Sequence, residues 1–154
     1  MSGAGAAEAA GQRFVDDYLA YLLARASHLV SAEFHARVEA RGLSVAYWRV
    51  LATLSDADGM TMGELTRIVL YKQPTLSKII DRMEGEGLIR RGSADDDRRK
   101  VRVYITDSGR ALVAELQAEA KRHEADVLTG YGPEEQALLK KVLRQVIRHC
   151  EGRA

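Results

Sequence analysis

The chain has 154 residues, of which 46% are apolar and 29% charged, and its formal net charge is +1. This length and composition are typical of one globular domain, and a net charge near zero means that any affinity for nucleic acid must come from local clusters of cations. No apolar run approaches the ~20 residues of a membrane span, and residues 1–11 lack the regions of a secretory signal, which predicts a small-residue disordered tail and a cytoplasmic protein without a membrane partner.

Residues 12–40 are predicted to form one long helix. Its apolar positions make a stripe that is too long to bury against one small neighbour. They are Phe14, Tyr18, Leu22, Leu29, Phe34 and Val38. We therefore expect this helix to meet a second subunit. Gly42 ends it, and Ser44 caps a second helix that stops in the turn 56–59.

Residues 61–83 carry the pattern of two short helices joined by a tight turn. Thr61 is expected to cap the first helix. The second has apolar residues at i, i+3, i+4 and i+7 spacing, namely Leu76, Ile79, Ile80 and Met83. Its opposite face presents side chains suited to base edges and phosphates. These candidate DNA-binding residues are Gln73, Pro74, Thr75, Ser77, Lys78 and Arg82.

A charged hairpin follows this helix pair. Residues 88–90 can start a strand, and Val101, Val103 and Ile105 alternate with polar residues at period two. The loop between the strands adds Arg98, Arg99 and Lys100 to the candidate DNA-binding residues. Arg99 is predicted to enter a minor groove, whose negative potential favours a guanidinium, and Asp97 to orient an arginine of the wing or helix. A solvated loop and a solvated helix face are the plainer alternatives.

Two helices complete the chain. Thr106 is expected to cap the first, and the second runs from Pro133 to about residue 149 and is expected to bury Leu138, Leu139, Val142, Val146 and Ile147. A winged helix-turn-helix does not need these two helices to bind DNA. A twofold partner explains them, because an inverted-repeat DNA site demands matching protein symmetry.

The predicted fold is therefore mainly α-helical with a small two- to three-stranded β-wing. Residues 44–106 would form a winged helix-turn-helix for DNA binding, and residues 12–40 and 107–149 would form the helical dimerisation region. Three segments, LSVAYWRVLATL, KQPTLSKIIDRMEGEGLIRR and DDDRRKVRVYITDSGR, resemble the multiple antibiotic resistance regulator (MarR) family of bacterial transcription factors. The resemblance implies a helical dimer, usually a repressor that leaves its operator when a small, often aromatic acid binds.

An effector site is predicted on the first two helices. Tyr21, His28 and His35 recur every seven residues, so they share one helix face. Tyr47, Trp48 and Arg49 on the next helix would supply an aromatic wall and a carboxylate clamp for an aromatic acid or an aryl-coenzyme A thioester. Three of these residues have a plainer interpretation. His28 would serve equally as an interface histidine and Trp48 as a core residue, and Arg49 would equally pair with Glu33 or Asp56.

Other functions find little support in the sequence. There is no phosphate-binding glycine loop, nucleophile motif or paired metal-ligand spacing, so we predict no enzyme activity, no cofactor and no metal site. The single cysteine, Cys150, is expected to be an inert thiol rather than a redox sensor. The segment VLYKQPTLSKIIDRM is similar to family members that control aromatic catabolism, which implies a repressor of such genes. The alternatives are a regulator of drug efflux or stress genes, and a winged-helix adaptor that binds protein instead of DNA.

Overall fold

The computed structural model describes residues 13–94 and 97–153, and the side chains of residues 94 and 97–99 lie outside this description. It has helices α1 Phe14–Asp17, α2 Leu19–Ala40, α3 Val45–Asp56, α4 Met62–Val69, α5 Gln73–Gly85, α6 Asp107–Val127 and α7 Pro133–Glu151. The strands are β1 Met60–Thr61, β2 Ile89–Ala94 and β3 Asp97–Ile105. The predicted mainly helical fold with a small β-wing is confirmed. The disordered tail expected over residues 1–11 falls outside the described residues.

Three helices begin at the side-chain caps that the sequence predicted. The Ser44 hydroxyl accepts a hydrogen bond from the backbone N–H of Tyr47 at 3.2 Å. Thr61 accepts one from the N–H of Glu64, whose carboxylate accepts in return from the N–H of Thr61 at 2.7 Å. Thr106 caps α6 in the same way as Ser44 caps α3. Because each cap satisfies a backbone donor that the helix leaves free, these boundaries follow from local sequence.

The main core lies beneath the helix-turn-helix. In α5, Leu76, Ile80 and Met83 are fully buried and Ile79 packs against them, which confirms the predicted apolar face. In α4, Leu65 and Val69 enter the same core. Ile68 is 52% exposed, whereas the neighbouring Val69 takes the core position in the last turn of α4.

The sheet is antiparallel, with strand order β1-β3-β2. Ile89 lies opposite Ile105, and Arg91 lies opposite Val103. The β2–β3 hairpin, residues 89–105, is called the wing below. Its strands extend beyond the predicted 88–90 and 101–105 into the charged segment, because backbone pairing continues there after the apolar alternation has stopped. The short β1 adds a third strand.

The terminal helices differ from expectation in two ways. The long first helix is broken at Tyr18, whose φ of −81° and ψ of 116° are extended, and no glycine or proline marks this break. The stripe along α2 is buried only at its end, through Phe34 and Val38. Helix α7 contains no buried residue, so the prediction that its five apolar side chains are buried is wrong for a single chain. Any burial of α7 would have to come from outside the described residues.

Candidate nucleic-acid interface and effector pocket

Helix α5 leaves one polar face uncovered. Gln73, Pro74, Thr75, Lys78 and Arg82 are exposed and Ser77 is half-buried, while the apolar side of the helix enters the core. The proline lies in the first turn, where its missing N–H costs no helical hydrogen bond. This combination of a firmly packed inner face and a free polar outer face suits a helix that enters a major groove.

The wing lies next in the chain after this helix. Lys100 is exposed at the start of β3. The side chains of Asp97, Arg98 and Arg99 lie outside the described residues, so the orienting role of Asp97 and the minor-groove role of Arg99 stay predictions.

A cavity of about 360 Å³ separates the start of α3 from α5. Its lining is Ser44, Tyr47, Pro74, Thr75, Lys78, Ile79 and Arg82. The buried Tyr47 donates its hydroxyl hydrogen to the carboxylate of Glu86 at 2.9 Å. Burial and this hydrogen bond raise the pKa of Tyr47 to about 12. Tyr47 therefore joins α3 to the end of α5 and lies in a different cavity from Arg49.

A second cavity, of about 280 Å³, lies between α2 and α3. Its lining is Ser27, His28, Ser31, Ala32, His35 and Arg49. The structure thus brings together His28, His35 and Arg49, three of the six predicted effector residues. Burial lowers the pKa of His35, the positive charge of Arg49 lowers it further, and Glu39 partly opposes this. The cavity combines a cation with a histidine that favours its neutral form.

Arg49 also faces the turn that precedes α5. Its guanidinium carbon lies 5.5 Å from the ring centroid of Tyr71, which precedes the first residue of α5 by two positions. The suggested pairing of Arg49 with Glu33 does not occur, because Glu33 forms its ion pair with Arg37 on the same helix. One arginine therefore contacts both the second cavity and the turn before α5.

The two remaining effector candidates lie elsewhere. Trp48 packs edge-to-face against Phe34, with ring centroids 5.1 Å apart, and joins the core, as its plainer interpretation held. Tyr21 is exposed on α2 and does not line the cavity. Sequence reasoning missed Ser27 and Ser31, although Ser27, Ser31 and His35 follow one another at steps of four residues, which places all three on one helix face.

Sequence reasoning also missed an ion-pair cluster between α5 and the wing. Arg91 of β2 contacts the carboxylates of Asp81 and Glu84 on α5. The available signal was a pair of acids one turn apart on a helix that is predicted to bind DNA. Acids there oppose DNA binding unless they have another role.

Several site types can be assessed for the described part of the chain. Within it, no three His, Cys, Asp or Glu residues are grouped as a metal site would need. None of the helices seen there is both long enough and apolar enough to cross a membrane. Cys150 is a free, exposed thiol near the end of α7.

Comparisons with known proteins agree with this geometry. A family model described as the MarR family matches residues 41–100. The HTH-type transcriptional regulator PecS of Dickeya dadantii is 28% identical over 130 residues, which cover 82% of this chain and 78% of that protein.

Solved structures extend the similarity to most of the chain. The MarR family transcriptional regulator SPO1453 of Silicibacter pomeroyi is 41% identical, with a TM-score of 0.80 over 90% of this chain and 99% of its own. BpsR of Bordetella bronchiseptica is 28% identical, with a TM-score of 0.71 over 82% of this chain and 96% of its own. The structure of BpsR is described as showing how 6-hydroxynicotinic acid regulates its DNA binding.

Proposed function

This chain belongs to the MarR family of transcriptional regulators, and from that premise we propose that it is a homodimeric repressor released from an inverted-repeat operator by an aromatic carboxylate. Members of the family are regulators and not enzymes, in agreement with the sequence prediction. The observation that carries the proposal is the position of Arg49, which lines the cavity between α2 and α3 and also contacts the turn that leads into α5.

DNA binding is assigned to residues 44–106. The exposed face of α5 would enter the major groove through Gln73, Thr75, Ser77 and Lys78, with Pro74 starting the helix and Arg82 reaching a phosphate. The wing would contact the flanking backbone and minor groove through Arg98, Arg99 and Lys100, with Asp97 orienting an arginine.

Dimerisation is assigned to residues 12–40 and 107–149. Exposed large apolar side chains concentrate on the terminal helices and include Phe14, Leu22, Val30, Leu138, Leu139, Val142 and Ile147. Such a surface favours a protein partner. A second copy related by a twofold axis would cover it and place two α5 helices on the two halves of an inverted repeat.

The effector is proposed to bind between α2 and α3. Arg49 would hold a carboxylate, and His28, His35 and Ser27 would offer hydrogen bonds to ring substituents. A volume of about 280 Å³ suits a single-ring acid, whereas the nucleotide of an aryl-coenzyme A thioester would have to lie outside the cavity. The regulation of BpsR by an aromatic acid supports this class of ligand.

Release from DNA would follow from competition for Arg49. A bound carboxylate draws the guanidinium towards the cavity and away from Tyr71, which removes a contact that holds the start of α5. A ligand shifts the equilibrium between two states only by its difference in affinity for them. The loss of the Tyr71 contact supplies part of that difference.

Fluorescence anisotropy on labelled DNA from upstream of the protein's own gene tests this function. We expect a Kd of ~10⁻⁸ M or tighter, weakening steeply with salt, because several phosphate contacts release counterions. Benzoate, 6-hydroxynicotinate or benzoyl-coenzyme A should release the DNA. Binding of the native protein to partner proteins but to no DNA would instead favour an adaptor.

The Arg49→Ala variant separates the pocket from the DNA-binding surface. We expect its operator affinity to stay within about five-fold of the parent's, because one partly exposed cation–π contact contributes only about 1 kcal/mol. Its response to the acids should be lost. Arg122→Ala, which removes an exposed arginine of α6 that lines neither cavity, is the matched control and should respond normally. A normal response in Arg49→Ala would remove Arg49 from the site.

A further inference from the structure

Resting on the proposed DNA binding, we propose that Arg91 is a positioning residue that locks the wing onto helix α5 through Glu84 and Asp81. These three residues are called the wing brace. By this inference the brace sets the angle between the two DNA-contacting elements without itself touching DNA.

The geometry of the brace is specific. The Arg91 guanidinium donates to Glu84 at 2.6 Å and to Asp81 at 2.5 Å, so its two terminal nitrogens engage two different carboxylates. The backbone N–H of Arg91 also donates to Glu84, at 2.8 Å. Strand β2 is thus attached to α5 through both its main chain and its side chain. A lysine would keep the charge but would lose the planar fork that reaches both acids.

Electrostatics keep the brace intact at neutral pH. The hydrogen bond from the Arg91 backbone lowers the pKa of Glu84, and the hydrogen bond from the Arg91 side chain lowers it further. Glu84 is therefore ionised, and so its attraction to Arg91 persists under the conditions in which DNA binds.

The charge balance argues against direct contact with DNA. Asp81 and Glu84 carry one negative charge each and Arg91 one positive charge, so the brace is net negative beside a proposed polyanion-binding surface. The terminal nitrogens of Arg91 are also occupied by carboxylates. Acids in this place weaken DNA binding by repulsion. Their presence is explained if they hold the wing at a fixed angle to α5.

The sign of the effect of Glu84→Gln on DNA affinity is the decisive test. Removing an acid from a DNA-binding surface normally strengthens binding, whereas loss of the brace should weaken operator binding about three- to ten-fold, since charge-assisted hydrogen bonds are lost in both protomers. Arg91→Lys should weaken binding similarly. The slope of log Kd against log salt should not change in either variant, because no phosphate contact is lost.

Asp56→Asn is the matched control. It removes an exposed acid at the end of α3, outside the brace, and should leave affinity unchanged or slightly increased. Operator binding by Glu84→Gln that equals or exceeds the parent's would overturn the proposal. So would a salt slope that falls by about one per protomer in Arg91→Gln, which removes the charge that lysine would keep, because that result would make Arg91 a phosphate contact.

Hydrogen exchange on the DNA-free protein gives an independent readout. In Glu84→Gln, the backbone amides of β2 and β3 should exchange faster while those of the buried side of α5 keep their protection. Unchanged exchange in the wing would contradict the brace. If the parent protein binds no DNA, the proposed function fails, and faster exchange would still support the attachment of the wing to α5.

Discussion

His35 carries a pH prediction that depends on its neighbours in the second cavity. Burial and Arg49 hold the pKa of this histidine below 6.5 in the ligand-free protein, so it is neutral at pH 7. The negative charge of a bound carboxylate opposes the influence of Arg49 and stabilises the protonated imidazole, which raises that pKa. Binding of the acid is therefore coupled to proton uptake, and affinity should rise as pH falls through the range below 6.5.

Calorimetric titration with 6-hydroxynicotinate measures this coupling. Affinity should increase up to about ten-fold between about pH 7.5 and pH 5.5, the change that follows if the ligand raises the pKa by about one unit. His35→Gln should give a flat profile over the same range. A profile in the native protein that is equally flat would exclude His35 from contact with the ligand.

At the scale of elements, the start of α6 is packed tightly against the base of the wing. A Cβ at Gly109 would lie 2.2 Å from the carbonyl oxygen of Leu88 and 2.8 Å from the Cγ1 atom of Ile105. The first contact is with backbone, which cannot rotate away. This close approach holds α6 beside β2 and β3, so a side chain here must displace one of them.

Gly109→Ala should therefore destabilise the protein by about 2–4 kcal/mol, as other overpacked core substitutions do. For a chain of this length the melting temperature should fall by roughly 5–15 °C. Gly63→Ala is the matched control, because it also lies in the first turn of a helix and its Cβ would meet open space. Equal melting temperatures for the two variants would show that the α6–wing contact is looser than the structure indicates.

At the scale of the whole molecule, the apolar side chains on α7 predict a dimer. Leu139→Glu places a charge on this surface and should yield monomers in sedimentation equilibrium at micromolar concentration, since an unpaired charge is costly to bury. Ile68→Glu, at an exposed position of α4, should remain dimeric. An unchanged mass for Leu139→Glu would place the interface elsewhere. If the variant is monomeric, its operator affinity should also fall, because a dimer binds the two half-sites together.

Features that depend only on residues close together in the sequence were predictable. The caps at Ser44, Thr61 and Thr106 act within three residues, and the apolar positions of α5 repeat with the helical period. The helix-turn-helix and the existence of a wing followed from these local signals. The pairing of His28 with His35 on one face of α2 was equally accessible, because seven residues make nearly two helical turns.

Only the tertiary structure decided which of these surfaces meet. It placed Tyr47 against Glu86 and Arg49 against Tyr71. Tyr47 and Arg49 are close in sequence, but neighbouring positions on a helix point in different directions. It also paired Arg91 with two acids of α5 and left α7 unburied. The sequence by itself determined most of the helical elements and the polar face of α5, since periodicity and capping are local. Contacts between elements depend on how the chain packs, and no local pattern encodes that packing.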